Sequence, residues 1–524
     1  MLVDNLGWGD LGCYGGLAPT PRLDQLASKG MRFKNYNVES QCTPTRSAIL
    51  TGRLPKRSGT ISVPLPGQGH YGMAPWEYTL AELFSDAGYA TALYGKWHLG
   101  DIEGRLPTDQ GFDEWFGIKN TTDEAGYTSY PMFHEAGYPI PQIWEGVKGS
   151  PSQPVEEYNL ESRALIEEKI TQRTVQFIQR KAADDQPFFT YVGFTHMHPP
   201  FHFHPDFKGK SKGGQYSDIL TEMDYRAGQI LDALDEAGIA EETIVVWSSD
   251  NAAAAAIDSA FVGSNGPWRG VFASGFEGGM RVPALIRWPG KIPAGVVTNE
   301  ILATYDWMPT LAALVGEADR VPDDRPIDGV DVSELLLGRS ERSNRDHIVF
   351  YGSDGEVMSA KWKNIKIVFR YAETFDGPII KPQFPMAFDL IDDPGERLNL
   401  TAQRMDMMWM FGPAIQSIIA LEKSYAQYPN IEPGQEFAGY DDACAVRRSR
   451  AWPAHPLILF AGEGHLNDNR MKIATKNTDL ETTTRLELWN TSPSSPSCSL
   501  PWLPLQSRGG SMAPSSRSPS STPD

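Results

Sequence analysis

Phe188-Phe189-Thr190-Tyr191-Val192-Gly193-Phe194 follows a long amphipathic stretch, Leu160 to Ala182. The pairing recurs at once: Ser217 to Ala237 is a second helix-like stretch, and Thr243 to Ser248 a second apolar run. Neither run alternates apolar with polar residues. A central strand of a parallel sheet reads this way when helices cover both of its faces. Helix followed by buried strand, repeated, predicts an α/β fold with helices on both sides of the sheet.

Working outward, Arg22 to Lys29 reads as a short helix stopped by Gly30, with Leu23, Leu26 and Ala27 on one face. Pro75 to Ala87 reads as another, with Pro75 in its first turn, and Tyr89 to Tyr94 as a buried strand. Residues 120–157 are rich in Gly, Pro and aromatics without a period, and read as a long surface excursion. From about 340 the character changes. Ile348 to Tyr351, Lys363 to Tyr371 and Met386 to Leu390 read as strands of a smaller antiparallel unit. The expected division is 1–340 as a main domain, 341–440 as a small subdomain, and 441–524 as an irregular tail. Ser and Pro dominate the last part of that tail.

The chain has 524 residues with 47 Lys plus Arg against 66 Asp plus Glu, a net charge of −19. That balance argues against nucleic acid as a partner. It leaves room for a small anionic substrate, since a few local cations reverse the field inside a cleft. Four cysteines in this length are no disulfide framework. No apolar run reaches the roughly 18–20 residues of a membrane span, so no membrane partner is expected.

The segment richest in chemistry is Cys42-Thr43-Pro44-Thr45-Arg46-Ser47-Ala48-Ile49-Leu50-Thr51-Gly52-Arg53. Taken alone, Cys42 fits either a thiolate beside a cation at a helix start or a buried structural cysteine. Asp4, Asn5, Asp250 and Asn251 offer only hard oxygens, the ligand set of Ca²⁺ or Mg²⁺. Each pair follows a strand, so both fall at the carboxyl edge of a parallel sheet, where ligands bind. Turn formation and helix capping are the alternatives for these pairs. The run His196-Met197-His198-Pro199-Pro200-Phe201-His202-Phe203-His204 also invites a zinc reading.

Cys-x-Pro-x-Arg followed by Thr-Gly-Arg resembles the signature of the sulfatase family. Gly88-Tyr89-Ala90-Thr91 through Gly95-Lys96-Trp97-His98-Leu99-Gly100 resembles the second family signature. The likeness extends through Val3 to Asp10, Ser249-Asp250-Asn251, Glu277 to Pro283, and Phe388 to Glu396, in family order. The resemblance implies an alkaline-phosphatase-like fold: a mixed sheet sandwiched by helices, plus a small α+β subdomain with a four-stranded antiparallel sheet. It implies hydrolysis of a sulfate monoester, from a small molecule or a glycan, with Cys42 converted to formylglycine by a maturation enzyme. Ca²⁺, with Mg²⁺ as the alternative, is expected on Asp4, Asn5, Asp250, Asn251 and position 42.

By the same resemblance, Arg46 orients the formylglycine, Lys96 contacts the sulfate, and His98 the hydrated aldehyde or sulfate. His198 is expected to be the leaving-group acid, with His196 as its competitor. Three departures stand out. Asn5 replaces the second of a pair of aspartates, Phe272 occupies the place of a common lysine, and Ala252 to Ala256 follow Asn251 where glycine is usual. Arg269, close to Phe272, is the expected substrate-binding substitute. Only Met1-Leu2-Val3 precede Asp4, so the expectation is a true start, with any export signal, further upstream; family members are often exported. Rivals remain open at this stage: one is a phosphate mono- or diesterase on the same scaffold, and another an inactive binder of sulfated glycans. A Cys-based redox or acyl-transfer enzyme is a third.

Overall fold

In the computed structural model of the chain, residues 1–64, 68, 70–253 and 263–440 are described. The expected tail at 441–524 and Ala254 to Ala256 lie outside them. The main sheet opens with β1 (Leu2–Val3), β2 (Met31–Asn37), β3 (Ala90–Lys96) and β4 (Glu114–Ile118). It continues with β5 (Gln142–Val147), β6 (Gln153–Glu157), β7 (Phe188–Gly193) and β8 (Val245–Ser249). β9 (Arg281–Arg287), β10 (Val296–Thr298) and β11 (Leu302–Ala303) complete it among the described residues. The order is β10-β2-β9-β8-β1-β7-β3-β4-β5-β6, with β11 also on β2.

The centre, β8-β1-β7-β3-β4, is parallel, and β9, β5 and β6 run antiparallel to their neighbours. Alternate residues of these strands enter two different apolar clusters. Val3, Ala92, Tyr94 and Val192 pack with Ile166, Ile170, Phe177 and Met223 of the long helices Leu160–Ala183 and Gln215–Glu236. Leu2, Leu93 and Tyr191 pack on the opposite side with Leu83, Phe84, Trp307 and Met308. Two covered faces explain why the central runs show no polar alternation.

The excursion at 120–157 is not merely surface. It holds a 3₁₀ helix at Thr122–Ser129, a short helix at Pro131–Ala136, and the two edge strands β5 and β6. Every residue of β6 is exposed, so no apolar period could announce it. The helix expected from Pro75 begins instead at Leu80. Thr79 caps it, accepting from Glu82 N while the Glu82 carboxylate accepts from Thr79 N.

A second, antiparallel sheet is formed by β12 (His347–Tyr351), β13 (Val357–Trp362), β14 (Ile365–Val368) and β15 (Met386–Asp389). The helix Phe411–Gln427 packs on it through Phe411, Ala414 and Tyr425. This is the mixed-sheet architecture with a separate four-stranded sheet that the resemblance implied. No helix of the described residues is long and apolar enough to cross a membrane.

Candidate active site

Four neighbouring parallel strands deliver the site. β1 ends at Val3 and gives Asp4 and Asn5; β8 ends at Ser249 and gives Asp250 and Asn251. β3 ends on Lys96, and the chain leaving β7 reaches His196 and His198. Residue 42 comes from the side, as the first residue of the helix Cys42–Thr51 after β2. Gly52, at φ +67°, closes that helix in a left-handed conformation that suits glycine.

The side chains converge in a buried cluster. Cys42 Sγ donates to Asp4 Oδ1 at 3.4 Å, and Lys96 Nζ to Asp4 Oδ2 at 2.8 Å. Arg46 Nε donates to Asp250 Oδ2 at 3.0 Å, and Arg46 Nη1 to the Lys96 carbonyl at 2.7 Å. Asn5 N donates to Asp250 Oδ1 at 3.2 Å, while Asn251 Nδ2 donates to Asn5 Oδ1. His198 approaches the same centre: ligand atoms of Asp4, Cys42 and His198 lie within 4.8 Å of one another. The Nδ1 of His198 sits 2.6 Å from the Pro199 carbonyl. A carbonyl only accepts, so Nδ1 carries a proton and Nε2 faces away from it.

Electrostatics follow from burial. Burial alone would raise Asp4, but Lys96, His198 and Arg46 outweigh it and hold its carboxyl well below the usual range. Burial, then Asp4, pushes Asp250 up to about 6. Burial lowers the charged form of His98 and His198, with Lys96 adding to both effects. Burial, then the carboxylates of Asp250 and Asp4, pushes the Cys42 thiol well above its ordinary value. An unmodified thiol here is therefore a poor nucleophile at neutral pH.

The donor set fits a hard divalent cation. Asp4, Asn5, Asp250 and Asn251 bring their oxygens to one edge, and Asn251 Oδ1 is buried without a hydrogen-bond partner. A buried orphan acceptor beside two carboxylates is what an oxygen-ligated cation would satisfy. Both ring nitrogens of His98 are likewise buried and unpartnered, free to meet a bound anion or hydrate. Among the described residues, one histidine of the four-histidine run, His198, enters a group of side chains that could hold a metal, together with Asp4 and Cys42.

Arg269 is engaged elsewhere: it pairs with Glu373 at 2.8 Å, donates to the Glu396 carbonyl, and lies 3.9 Å over the Phe276 ring. Phe272 packs against Phe375, centroids 5.0 Å apart. Two features escaped the sequence reading. Thr122 Oγ1 donates to Asp4 Oδ2 at 3.2 Å, from the excursion. Glu167 accepts from Thr195 N and His196 N, both at 2.8 Å, and from Thr195 Oγ1. His196 itself bridges Arg163 and Glu222, each at 3.1 Å, so its ring anchors the loop that carries His198. The signal for Glu167 was present: a carboxylate set in the apolar stripe of Ile166, Ile170 and Phe177.

Removing Glu167 strands three buried donors, at about 1–3 kcal/mol each before relaxation. Glu167→Ala is expected to lower kcat on a sulfate ester by about a hundredfold through loss of His198 placement. Steady-state kinetics beside a thermal melt check this; a destabilised protein with normal kcat would assign Glu167 to stability alone.

A cysteine at a helix start, two Asp-Asn pairs, a lysine and histidines at the carboxyl edge of an α/β sheet define a hydrolase-type anion site. Residues 1–317 match the family described as Sulfatase. The chain is 34% identical over 452 residues to the N-acetylgalactosamine-6-sulfatase of Canis lupus familiaris, covering 79% of this chain and 84% of that one. Arylsulfatase G of Rattus norvegicus is 33% identical over 433 residues, covering 76% and 81%. Among solved structures, the PsFucS1 sulfatase from Pseudoalteromonas sp. superposes with a TM-score of 0.76 at 30% identity, covering 82% of this chain and 91% of that one. The chain belongs to the sulfatase family and is a sulfuric ester hydrolase.

Proposed function

We propose that the chain hydrolyses sulfate monoesters of sugars through formylglycine at position 42 with Ca²⁺ bound. The observation that carries this is the convergence of buried Cys42 and Lys96 and half-buried His198 on buried Asp4 at one sheet edge. A maturation enzyme would supply the aldehyde, and water adds to it as a geminal diol. The diol would supply the hydroxyl that attacks sulfur, its proton passing to the Asp250 carboxylate, which lies close enough to residue 42 to raise its thiol, while the S–O ester bond breaks and the ester oxygen leaves with a proton from His198. The same modification would allow release of sulfate by C–O cleavage at residue 42, a step that needs a base for the proton of its second hydroxyl. His98, with both ring nitrogens free, is placed to take that proton.

Lys96 holds charge on the sulfuryl oxygens, and Arg46 fixes Asp250 and the end of β3. A divalent cation held by Asp4, Asn5, Asp250, Asn251 and position 42 would supply Lewis-acid charge at the same oxygens. The all-oxygen side chains favour Ca²⁺ over softer-ligand metals. Burial and the Lys96 cation disfavour the imidazolium of His198, so Asp4 and a substrate anion must sustain its proton.

The sugar class is taken from the relatives named above. A panel of 4-nitrophenyl sulfate, N-acetylgalactosamine 6-sulfate and 4-nitrophenyl phosphate tests it. Sulfate esters should be turned over far faster than the phosphate; the reverse order would assign a phosphatase. Dialysis against EGTA should cost at least tenfold in kcat, restored by Ca²⁺. Full activity after chelation would remove the metal from the mechanism. Mass spectrometry of the peptide bearing residue 42, after co-expression with a maturation enzyme, reads the aldehyde directly.

A further inference from the structure

The excursion that touches Asp4 through Thr122 carries a row of aromatic rings away from that contact. Tyr127 lies on the same 3₁₀ helix as Thr122. Its ring meets Phe133 with centroids 5.5 Å apart, and Phe133 stacks on Tyr138 at 6.4 Å with 20° between planes. Gly137, at φ +71°, turns the chain so that Tyr138 can fold back over Phe133. The outer side of the row is bare: Tyr130 is 64% exposed, Met132 74% and Tyr138 52%.

At the inner end stand carboxylates. Asp123 is near enough to His198 to favour its protonated ring against burial, and Tyr127, pushed up first by burial, is near enough to Asp123 and Glu124 to be raised further by them. Thr121 Oγ1 fixes Asp123. The row therefore begins beside the reacting centre and ends in solvent.

We infer that the Tyr127–Phe133–Tyr138 row is a sugar-stacking subsite, which makes the substrate a sulfated oligosaccharide bound by the unit next to the sulfated one. This rests on the sulfate-ester reading of the site. A pyranose ring has an apolar C–H face and a hydroxyl rim. Exposed tyrosines match both, offering a flat ring and a polar tip, and the Asp123 and Glu124 carboxylates accept from hydroxyls. The exposed apolar side chains of the excursion, Tyr130, Met132, Tyr138, Ile140, Val147 and Val155, are six, too few for a stable protein interface, which takes roughly 20–30 residues a side. They suffice for one or two sugars.

The test compares N-acetylgalactosamine 6-sulfate with a tetrasaccharide ending in the same sulfated sugar, in the wild type, Tyr138→Ala, Tyr138→Phe and Tyr130→Ala/Tyr138→Ala. The wild type should prefer the tetrasaccharide. Tyr138→Ala should lower its kcat/KM about five- to tenfold, mainly through KM, with under a twofold effect on the monosaccharide. Tyr138→Phe, which keeps the ring, should restore most of the loss. Equal losses on both substrates, or none on either, overturn the subsite. If the wild type cleaves no sulfate ester, the enzymatic reading fails instead. The subsite is then read by calorimetry with the desulfated tetrasaccharide, whose affinity Tyr138→Ala should reduce by a similar factor; no binding, or equal binding, overturns it. A dimer that the double variant splits, with no sugar preference, gives the face to a second copy and also overturns it.

Discussion

Cys42→Ala should abolish sulfate-ester turnover, by ~10⁵-fold or more, because a nucleophile has no partial substitute. The fold should survive. The thiol makes one described hydrogen bond, to Asp4, and alanine is the better helix former at the start of Cys42–Thr51. The loss in stability is that of a small buried group, about 1 kcal/mol. The two readouts are steady-state kinetics and a thermal melt of the matured protein. An alanine variant that still turns over would end the nucleophile assignment and leave Lys96, His98 and His198 as the whole catalytic apparatus. A variant that is both inactive and unfolded would be uninformative alone, so Cys42→Val, of similar volume, serves as the second member of the pair.

What the sequence revealed and what it hid divide along physical lines. β7 and β8 were visible because both faces are covered, so apolar residues run along them without polar alternation. The residues at their carboxyl ends were visible because chemistry needs rare combinations there, such as Lys96 and His98 two apart. β6 was invisible because all five of its residues face solvent. β13 was hidden for the opposite reason: Ser359 and Lys361 are buried polar residues that break any apolar period. Thr122 was unreadable, since nothing local distinguishes a threonine that reaches Asp4 from one that faces water. Arg269 shows the limit of reading by proximity. Its neighbourhood in sequence to Phe272 did not foresee that Glu373 would engage its guanidinium.

The same buried lysine leads to the second large effect, at the contact between the two sheets. Glu277 opens the short helix before β9, and its carboxylate faces three cations, all buried. Oε2 meets Arg281 Nε at 2.6 Å and Lys361 Nζ at 2.9 Å; Oε1 meets Lys366 Nζ at 3.0 Å. Lys361 also donates to Asn35 and Asn37 of β2, and Glu396 accepts from Glu277 N at 2.8 Å. One carboxylate thus ties β2 and β9 to β13 and β14. Burial, offset by Glu277, leaves Lys361 at about 7, so without Glu277 its charge has little to hold it. Glu277→Gln keeps the shape and removes the charge, leaving Glu396 as the carboxylate paired with Lys366 among the described residues. Breaking a buried pair by removing one partner costs about 3–5 kcal/mol, and a melt should shift down by on the order of 5 °C or more. The double variant Glu277→Gln/Lys361→Met removes one stranded cation as well and should recover part of the loss. If Glu277→Gln melts with the wild type, the cations are being satisfied without it, and the junction between the sheets is held by packing of Met280, Phe350 and Met358 rather than by charge.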